Sequence, residues 1–289
     1  LAGKPKPEIL LWPESAVPVP YRSTHSVSFL FRIGLQNLIL QSGVPMLIGA
    51  IDFEDKLPGS ATPPGMTNSA LFFNHRGRLR HKYDKIHRVP YGEYIPFRRC
   101  LPGFIVRMID MNRDLVPGAD YNPIEVRSDV RAGTALCYEG VFGYLTREFA
   151  RRGANVLVVL SNDAWYPKSS EPEQHLANAT LRAVETGLPM VRCGNNGGSL
   201  VVTPYGRITQ VLTVDGPEQR PELRRGRGVK TLAVGVEPSP SYTFYVRHGE
   251  WFIAVLAAVE AVFWLAAFAG FKKRKQALLD AIRRPGAGS

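Results

Sequence analysis

TALCYEGVFGYLTREFARRGANVLVVLSNDAW, residues 134–165, reads as a single β-α-β unit. Small and apolar side chains run straight into Cys137. The charged stretch that follows predicts a helix over 143–152, and Gly153 suits its C-cap, where the backbone turns left-handed. A second apolar run, 155–160, delivers the polar cluster Ser161, Asn162 and Asp163. Open α/β sheets bind ligands just beyond the carboxyl ends of their strands, so both strand exits are candidate site positions. Cys137 itself reads two ways, as a nucleophile or as a small core residue.

Upstream, residues 9–12 predict a short strand that Pro13-Glu14-Ser15 ends, so Glu14 is expected at a strand's carboxyl end. Phe29, Leu30, Ile33, Leu38 and Ile39 recur at helical spacing and predict a helix over 26–41, with Gly43 as its stop. A strand over 45–51 and a Pro/Gly-rich loop over 54–68 follow. Strands over 69–73 and 79–83 then flank the hairpin turn 74–78. The polar run 83–97, YDKIHRVPYGEYIPF, carries two prolines and a glycine and is expected as an ordered loop. Downstream, the pattern predicts a short helix over 102–112, strands over 122–126 and 130–137, and a helix over 172–186 stopped by Gly187. Strands over 189–193, 199–203, 208–214 and 231–236 complete the series. Strands and helices mix throughout, so residues 1–240 read as one α/β domain.

The chain has 289 residues, 45% of them hydrophobic, enough for a sizeable core. Its formal net charge is +11, but the basic residues are scattered or clustered near the C-terminus. They are not interleaved with aromatics along a groove, which argues against a nucleic-acid partner. A basic balance also suits an anionic membrane surface, and a membrane segment is present. Residues 251–271, WFIAVLAAVEAVFWLAAFAGF, would form a helix about 30 Å long, the thickness of a hydrocarbon core. Lys272, Lys273, Arg274 and Lys275 follow at once. The positive-inside tendency assigns the basic tail, 272–289, to the cytoplasm and everything before Trp251 to the far side, with 241–250 as a juxtamembrane linker. Glu260, mid-span, costs roughly 2.5–3.5 kcal/mol on insertion scales and calls for a partner or a proton. Three cysteines are too few for a disulfide scaffold, and the spacing supports a Cys100–Cys193 pair no better than two free thiols.

A thiol becomes a nucleophile when a base or a positive charge helps it to the thiolate. Glu14 and Lys85 are the two charged residues expected where loops leave strands, as Cys137 does. A carboxylate can take the thiol proton, and a lysine can stabilise both the thiolate and the oxyanion that follows attack on a carbonyl. Glu, Lys and Cys together would suffice for acyl transfer without histidine. No two of His81, His87 and His175 have the i, i+4 spacing of a helical zinc pair, and no metal or other cofactor is expected. The glycine-rich stretch 194–198 lacks the Lys-Ser/Thr of a phosphate loop and reads as a tight turn.

The motif PES at 13–15, the run DKIHRVPYGEYIPF at 84–97 and CYE at 137–139 resemble the three signatures of the nitrilase (carbon-nitrogen hydrolase) superfamily. That implies an α/β fold, the nitrilase-like α-β-β-α sandwich, with a Glu14–Lys85–Cys137 triad. The longer forms LLWPESAVP, SNDAWY, QHL and RAVETGLPMVRCGNNGGS, with the closing apolar helix, are similar to the apolipoprotein N-acyltransferase family. This resemblance implies a cysteine thioester that carries a fatty acyl chain from a membrane phospholipid to the N-terminal amine of a diacylglyceryl apolipoprotein. Glu14 would be the general base and Lys85 the oxyanion partner. Glu93 would tune Lys85, Glu139 would support the site beside Cys137, and Tyr138 and Trp165 would lie near the thioester. Residues 161–166 would wall or cover an acyl pocket, and His175 would be structural or support a lid. The implied location is the bacterial cytoplasmic (inner) membrane, with the catalytic domain on the outer or periplasmic side. The family places a membrane domain, and a first nitrilase strand and helix, ahead of this point. Their apparent absence predicts that the chain alone folds poorly or is inactive. Two alternatives stand beside this reading: a nitrilase-type amidase hydrolysing C–N bonds, and a membrane-tethered module without catalysis.

Overall fold

A computed structural model of the chain describes residues 6–17, 19–55, 64–109, 114–165, 169–195, 198–212 and 230–283. Two compact units divide it, Leu1–Arg247 and His248–Ser289.

The first unit is built on two sheets. One holds β1 (Leu10–Val17), β2 (Met46–Phe53), β3 (Met66–Phe73) and β4 (Leu79–Asp84), in that order. β1 and β2 are parallel and the other pairs antiparallel. The second sheet holds β5 (Ile124–Arg127), β6 (Val130–Leu136), β7 (Val156–Ser161), β8 (Met190–Gly194), β9 (Leu200–Val202) and β10 (Ile208–Val211), in the order β10-β9-β8-β7-β6-β5. Its centre, β6-β7-β8, is parallel. The crossover between β6 and β7 is α3 (Gly143–Arg151), and that between β7 and β8 contains α4 (Glu171–Thr186).

Period-2 alternation assigns each sheet its two faces. In the first sheet, Leu47, Ala70 and Phe72 pack with Leu136, Val158 and Leu160 of the second, forming the core between the sheets. Their neighbours Met46, Ile48, Leu71 and Phe73 face the other way, onto Leu35 and Ile39 of α1 (Ser26–Ser42). α3 and α4 cover the outer face of the second sheet, burying Leu145, Phe149, Leu176 and Ala183. The layers are therefore α-β-β-α, as the sequence motifs imply. Burial on both faces explains why β2 and β7 read as unbroken apolar runs.

The helix stops follow expectation: Gly43 and Gly187 take left-handed φ values of 59° and 72°. Other boundaries move. β3 begins at Met66, inside the expected loop. The expected short helix over 102–112 is α2 (Gly103–Met108), its tail falling partly outside the described residues. The expected strand at 231–236 does not form. That segment meets β10 through the side chain of Gln210, which both accepts from Ala233 N–H and donates to Ala233 C=O, so no backbone ladder develops. α5 (Phe244–His248) buries Val246 in the main core, and Arg147 donates to Tyr245 C=O.

The second unit is α6 (Trp251–Arg283). Among the described residues, Trp251–Asp280 is the one helix long and apolar enough to cross a membrane. It continues unbroken through the basic cluster, and Lys272 Nζ lies 4.8 Å from the Phe268 ring centroid.

Candidate active site

Glu14 does not sit beyond the end of β1 but on a bulge within it. Trp12 pairs with Ile48 and Val17 with Ala50, so four residues of β1 stand opposite the single residue Gly49. A Cβ on Gly49 would lie 2.5 Å from Glu14 Cα and 2.7 Å from the Pro13 carbonyl oxygen, so only glycine admits the bulge. Ser15 adopts φ 56°, and this left-handed step helps the strand to recover its register.

Lys85 follows β4 directly. Its N–H donates to Asn68 C=O and its carbonyl accepts from Gly118 N–H. The side chain is 1% exposed and meets two carboxylates, Glu93 Oε1 at 3.0 Å and Glu14 Oε1 at 3.4 Å. Burial alone would push the ammonium toward neutrality. The charges of Glu14 and Glu93 outweigh that and hold its pKa above the ordinary lysine value. Glu93 Oε2 accepts from Val89 N–H at 2.8 Å, which ties this carboxylate to its own loop. The loop is ordered as expected: Tyr91 N–H donates to Tyr94 C=O, and the Arg88 guanidinium lies 4.4 Å from the Tyr94 ring centroid.

Cys137 leaves β6 with φ 48°, a left-handed conformation that costs a non-glycine residue roughly 1–3 kcal/mol. Burial and then the Glu14 charge push its thiol up to about 12, with Lys85 opposing the rise. The resting group is therefore a thiol, and any reaction at sulfur needs a base during attack rather than a preformed thiolate. Glu14 and Lys85 are the charged side chains acting most strongly on it.

Glu139 is fully buried and binds the Lys85 loop to the Cys137 strand. Its Oε1 accepts from the N–H groups of Ile86 at 2.7 Å and His87 at 2.9 Å, and its Oε2 accepts from Leu136 N–H at 2.8 Å. Tyr83 Oη lies 2.9 Å from both oxygens. Burial pushes this carboxyl up to about 7, against the downward pull of the His87 and Leu136 N–H groups. Tyr138 is exposed, its ring edge-on to Phe142 at 4.9 Å and to His87 at 5.9 Å. Trp165 closes a 3-10 turn, Asp163–Trp165; its side chain and Tyr166 lie outside the described residues, as do Asn196 and Gly197 of the expected glycine turn.

The carbon-nitrogen hydrolase family profile matches residues 2–218. The chain belongs to the carbon-nitrogen hydrolase family. Within it, the chain is 36% identical over 260 residues to a Brucella suis protein named apolipoprotein N-acyltransferase, covering 88% of this chain and 44% of that one. Proteins of the same name from Agrobacterium fabrum and Geobacter metallireducens are 32% identical over 269 residues and 30% identical over 267. Those two matches cover 92% and 90% of this chain and 47% and 46% of the relatives. The chain thus spans about half the length of the curated relatives it matches.

Two features of this carbon-nitrogen hydrolase site escape a reading of the sequence. The first is Asn68, whose amide nitrogen donates to Glu14 Oε1 at 2.7 Å and to Glu93 Oε1 at 2.6 Å, bridging the two carboxylates that flank Lys85. Its signal is a run of three buried polar residues, Thr67-Asn68-Ser69, heading an otherwise apolar strand. The second lies at 161–166, expected as a pocket wall. Ser161 and Asp163 instead turn inward and meet His175 and Arg192, a charged residue inside an apolar strand.

Sγ of Cys137, a carboxylate oxygen of Asp163 and a ring nitrogen of His175 lie within 4.8 Å of one another. This spacing suggests either a metal site or a Cys-His-Asp triad, and the hydrogen bonds argue against both. His175 Nδ1 faces Asp163 Oδ1 at 3.0 Å and Nε2 faces the Cys137 carbonyl oxygen at 2.9 Å, leaving neither nitrogen free to bind a metal or take a proton from sulfur. Cys100 and Cys193 are both free, Cys100 exposed and Cys193 partly buried.

Proposed function

We propose that this chain is the catalytic part of an N-acyltransferase that moves a fatty acyl chain from a membrane phospholipid to the N-terminal amine of diacylglyceryl apolipoproteins. The observation that carries the reading is the buried Glu14–Lys85–Glu93 group, of which Glu14 and Lys85 act on Cys137, in a chain so similar to proteins named apolipoprotein N-acyltransferase.

Glu14 takes the Cys137 proton as sulfur attacks the ester carbonyl carbon. The C–S bond forms, and Lys85 with a backbone N–H beside Cys137 meets the oxyanion. The ester C–O bond then breaks, and the lysophospholipid leaves with the proton from Glu14. In the second half the acceptor amine attacks the thioester, Glu14 takes its proton, and the C–S bond breaks to return the thiol. A thiol lifted to about 12 is a poor spontaneous nucleophile, so the first half requires a base at sulfur. Glu93 and Asn68 keep Lys85 and Glu14 in place, and Glu139 holds the two catalytic loops together. Tyr138 and Trp165 flank the acyl group.

α6 anchors the domain as a transmembrane helix over 251–271. The basic tail lies in the cytoplasm and the catalytic domain on the outer or periplasmic face of the bacterial inner membrane.

The test uses the full-length parent protein with phospholipid vesicles. Intact mass should show one acyl chain added, removable by hydroxylamine and absent from Cys137→Ala. Release of ammonia from small amides without an adduct would favour an amidase. Neither activity would leave a binding module.

A further inference from the structure

Asp163, His175, Arg192 and Ser161 form a buried polar group against Cys137 that none of the steps above uses. All four are at most 5% exposed. Charges so deep in a protein are costly unless they are paired; here the two Nη atoms of Arg192 are paired while its Nε has no partner among the described residues. Arg192 Nη2 donates to Asp163 Oδ2 at 2.6 Å and to Ser161 Oγ at 3.1 Å, and Nη1 donates to Gly198 C=O at 2.8 Å. Ser161 Oγ donates to Asp163 Oδ1 at 2.6 Å. Burial pushes the Asp163 carboxyl up, but the His175 hydrogen bond and the Arg192 charge outweigh it and hold it at about 2. Glu171 Oε1 also faces His175 Nδ1, at 3.5 Å.

Both ring nitrogens of His175 are therefore engaged: Nδ1 faces the Asp163 carboxylate at 3.0 Å and Arg192 Nη2 at 3.4 Å, and Nε2 faces the Cys137 carbonyl at 2.9 Å. The carbonyl that His175 holds belongs to the one residue here that is both left-handed and carries the thiol. A trans peptide is planar, with its C=O and N–H pointing in opposite directions. Fixing the Cys137 carbonyl therefore also fixes the direction of the Tyr138 N–H, the next donor along the chain.

We propose that His175, held by Asp163 and Arg192, is the positioning residue of this site. It clamps the Cys137 carbonyl and thereby sets the Tyr138 N–H that meets the oxyanion. The proposal rests on the acyl-transfer reading and adds to it a device that acts through the backbone.

Two rates on the full-length parent protein in phospholipid vesicles separate the possibilities. One is single-turnover thioester formation. The other is alkylation of Cys137 by iodoacetamide, followed by peptide mass. Alkylation is a displacement at a saturated carbon and forms no oxyanion. His175→Leu is expected to slow thioester formation by ~100-fold, as losing an oriented oxyanion donor does, while alkylation stays within about threefold. His175→Gln, whose amide nitrogen can reach the same carbonyl, is expected to recover about tenfold of that loss. Asp163→Asn keeps the volume but removes the charge behind the ring, and should fall between the two. The proposal is overturned if His175→Leu forms the thioester at the unsubstituted rate, if His175→Gln is no better than His175→Leu, or if both rates fall together. Failure of the acyl-transfer reading looks different: the unsubstituted chain would form no thioester, and this proposal would fall with it.

Discussion

Lys85 stays charged although it is buried, because two carboxylates, Glu14 and Glu93, face it. Asn68 is the hinge of that arrangement, since its two N–H groups are shared between Glu14 and Glu93. Hydrogen bonds to charged groups are worth roughly 1.5–3 kcal/mol each. Asn68→Asp removes both and sets a third carboxylate against the other two. It should lower the unfolding temperature and slow thioester formation by ~100-fold, measured by differential scanning fluorimetry and intact mass; an unchanged rate would exclude Asn68 from the site. Asp163 gives the pH dependence. Its folded pKa, about 2, lies below its usual 3.8, so its stabilisation is fully present above pH 3.8 and is lost as pH falls through about 2. The shift corresponds to about 2 kcal/mol. Acid titration followed by near-UV circular dichroism should show Asp163→Asn without that loss, and its stability should depend less on pH between about 2 and 4 than that of the parent.

At the scale of the element, β1 is the least regular strand and carries the most chemistry. Its bulge exists because Gly49 lets the neighbouring backbone approach to a distance no side chain permits. Gly49→Ala must push Pro13 and Glu14 outward or shift β2, and either breaks the Glu14–Lys85 contact. Loss of acyl-adduct formation with a destabilisation of about 1–3 kcal/mol is expected, on the scale of overpacking in a core. Urea unfolding and intact mass together check it, and retention of full activity would refute the steric argument. Glu139 plays the corresponding part between elements, since its two oxygens join the loop after β4 to the end of β6. In Glu139→Gln one oxygen becomes an NH₂ group, which cannot accept those N–H groups. Thioester formation should fall by at least about tenfold while α-helical content, read by far-UV circular dichroism, is kept.

At the scale of the whole molecule, the sandwich and α6 divide the work. The sandwich assembles the reactive group, and α6 offers thirty residues with a mean hydropathy of 2.3 over its most apolar window and none of that window buried within the chain. Apolar surface of that extent is unstable in water and calls for a lipid environment. The full chain should therefore stay with bacterial membranes after alkaline carbonate extraction, and a chain ending at Glu250 should be released from them. Release of both would show that α6 does not span the bilayer.

The α-β-β-α layering was legible because runs such as VLVVLS in β7 can be satisfied only by burial on both faces, and because glycines mark the helix ends. Cys137 and Lys85 were legible as polar residues at strand exits, whereas Glu14, expected at another, sits on a bulge within β1. The sequence by itself thus determined which chemical groups are available and the layers that carry them. The tertiary structure decided which of them meet. Asn68 bridging two carboxylates from residues 54 and 25 positions away is a contact no local pattern encodes. The same holds for Arg192 and His175, which reach Asp163 from 29 and 12 positions away. Such contacts depend on strand register and on the close backbone approach at Gly49, and both exist only once the sheets have formed and packed.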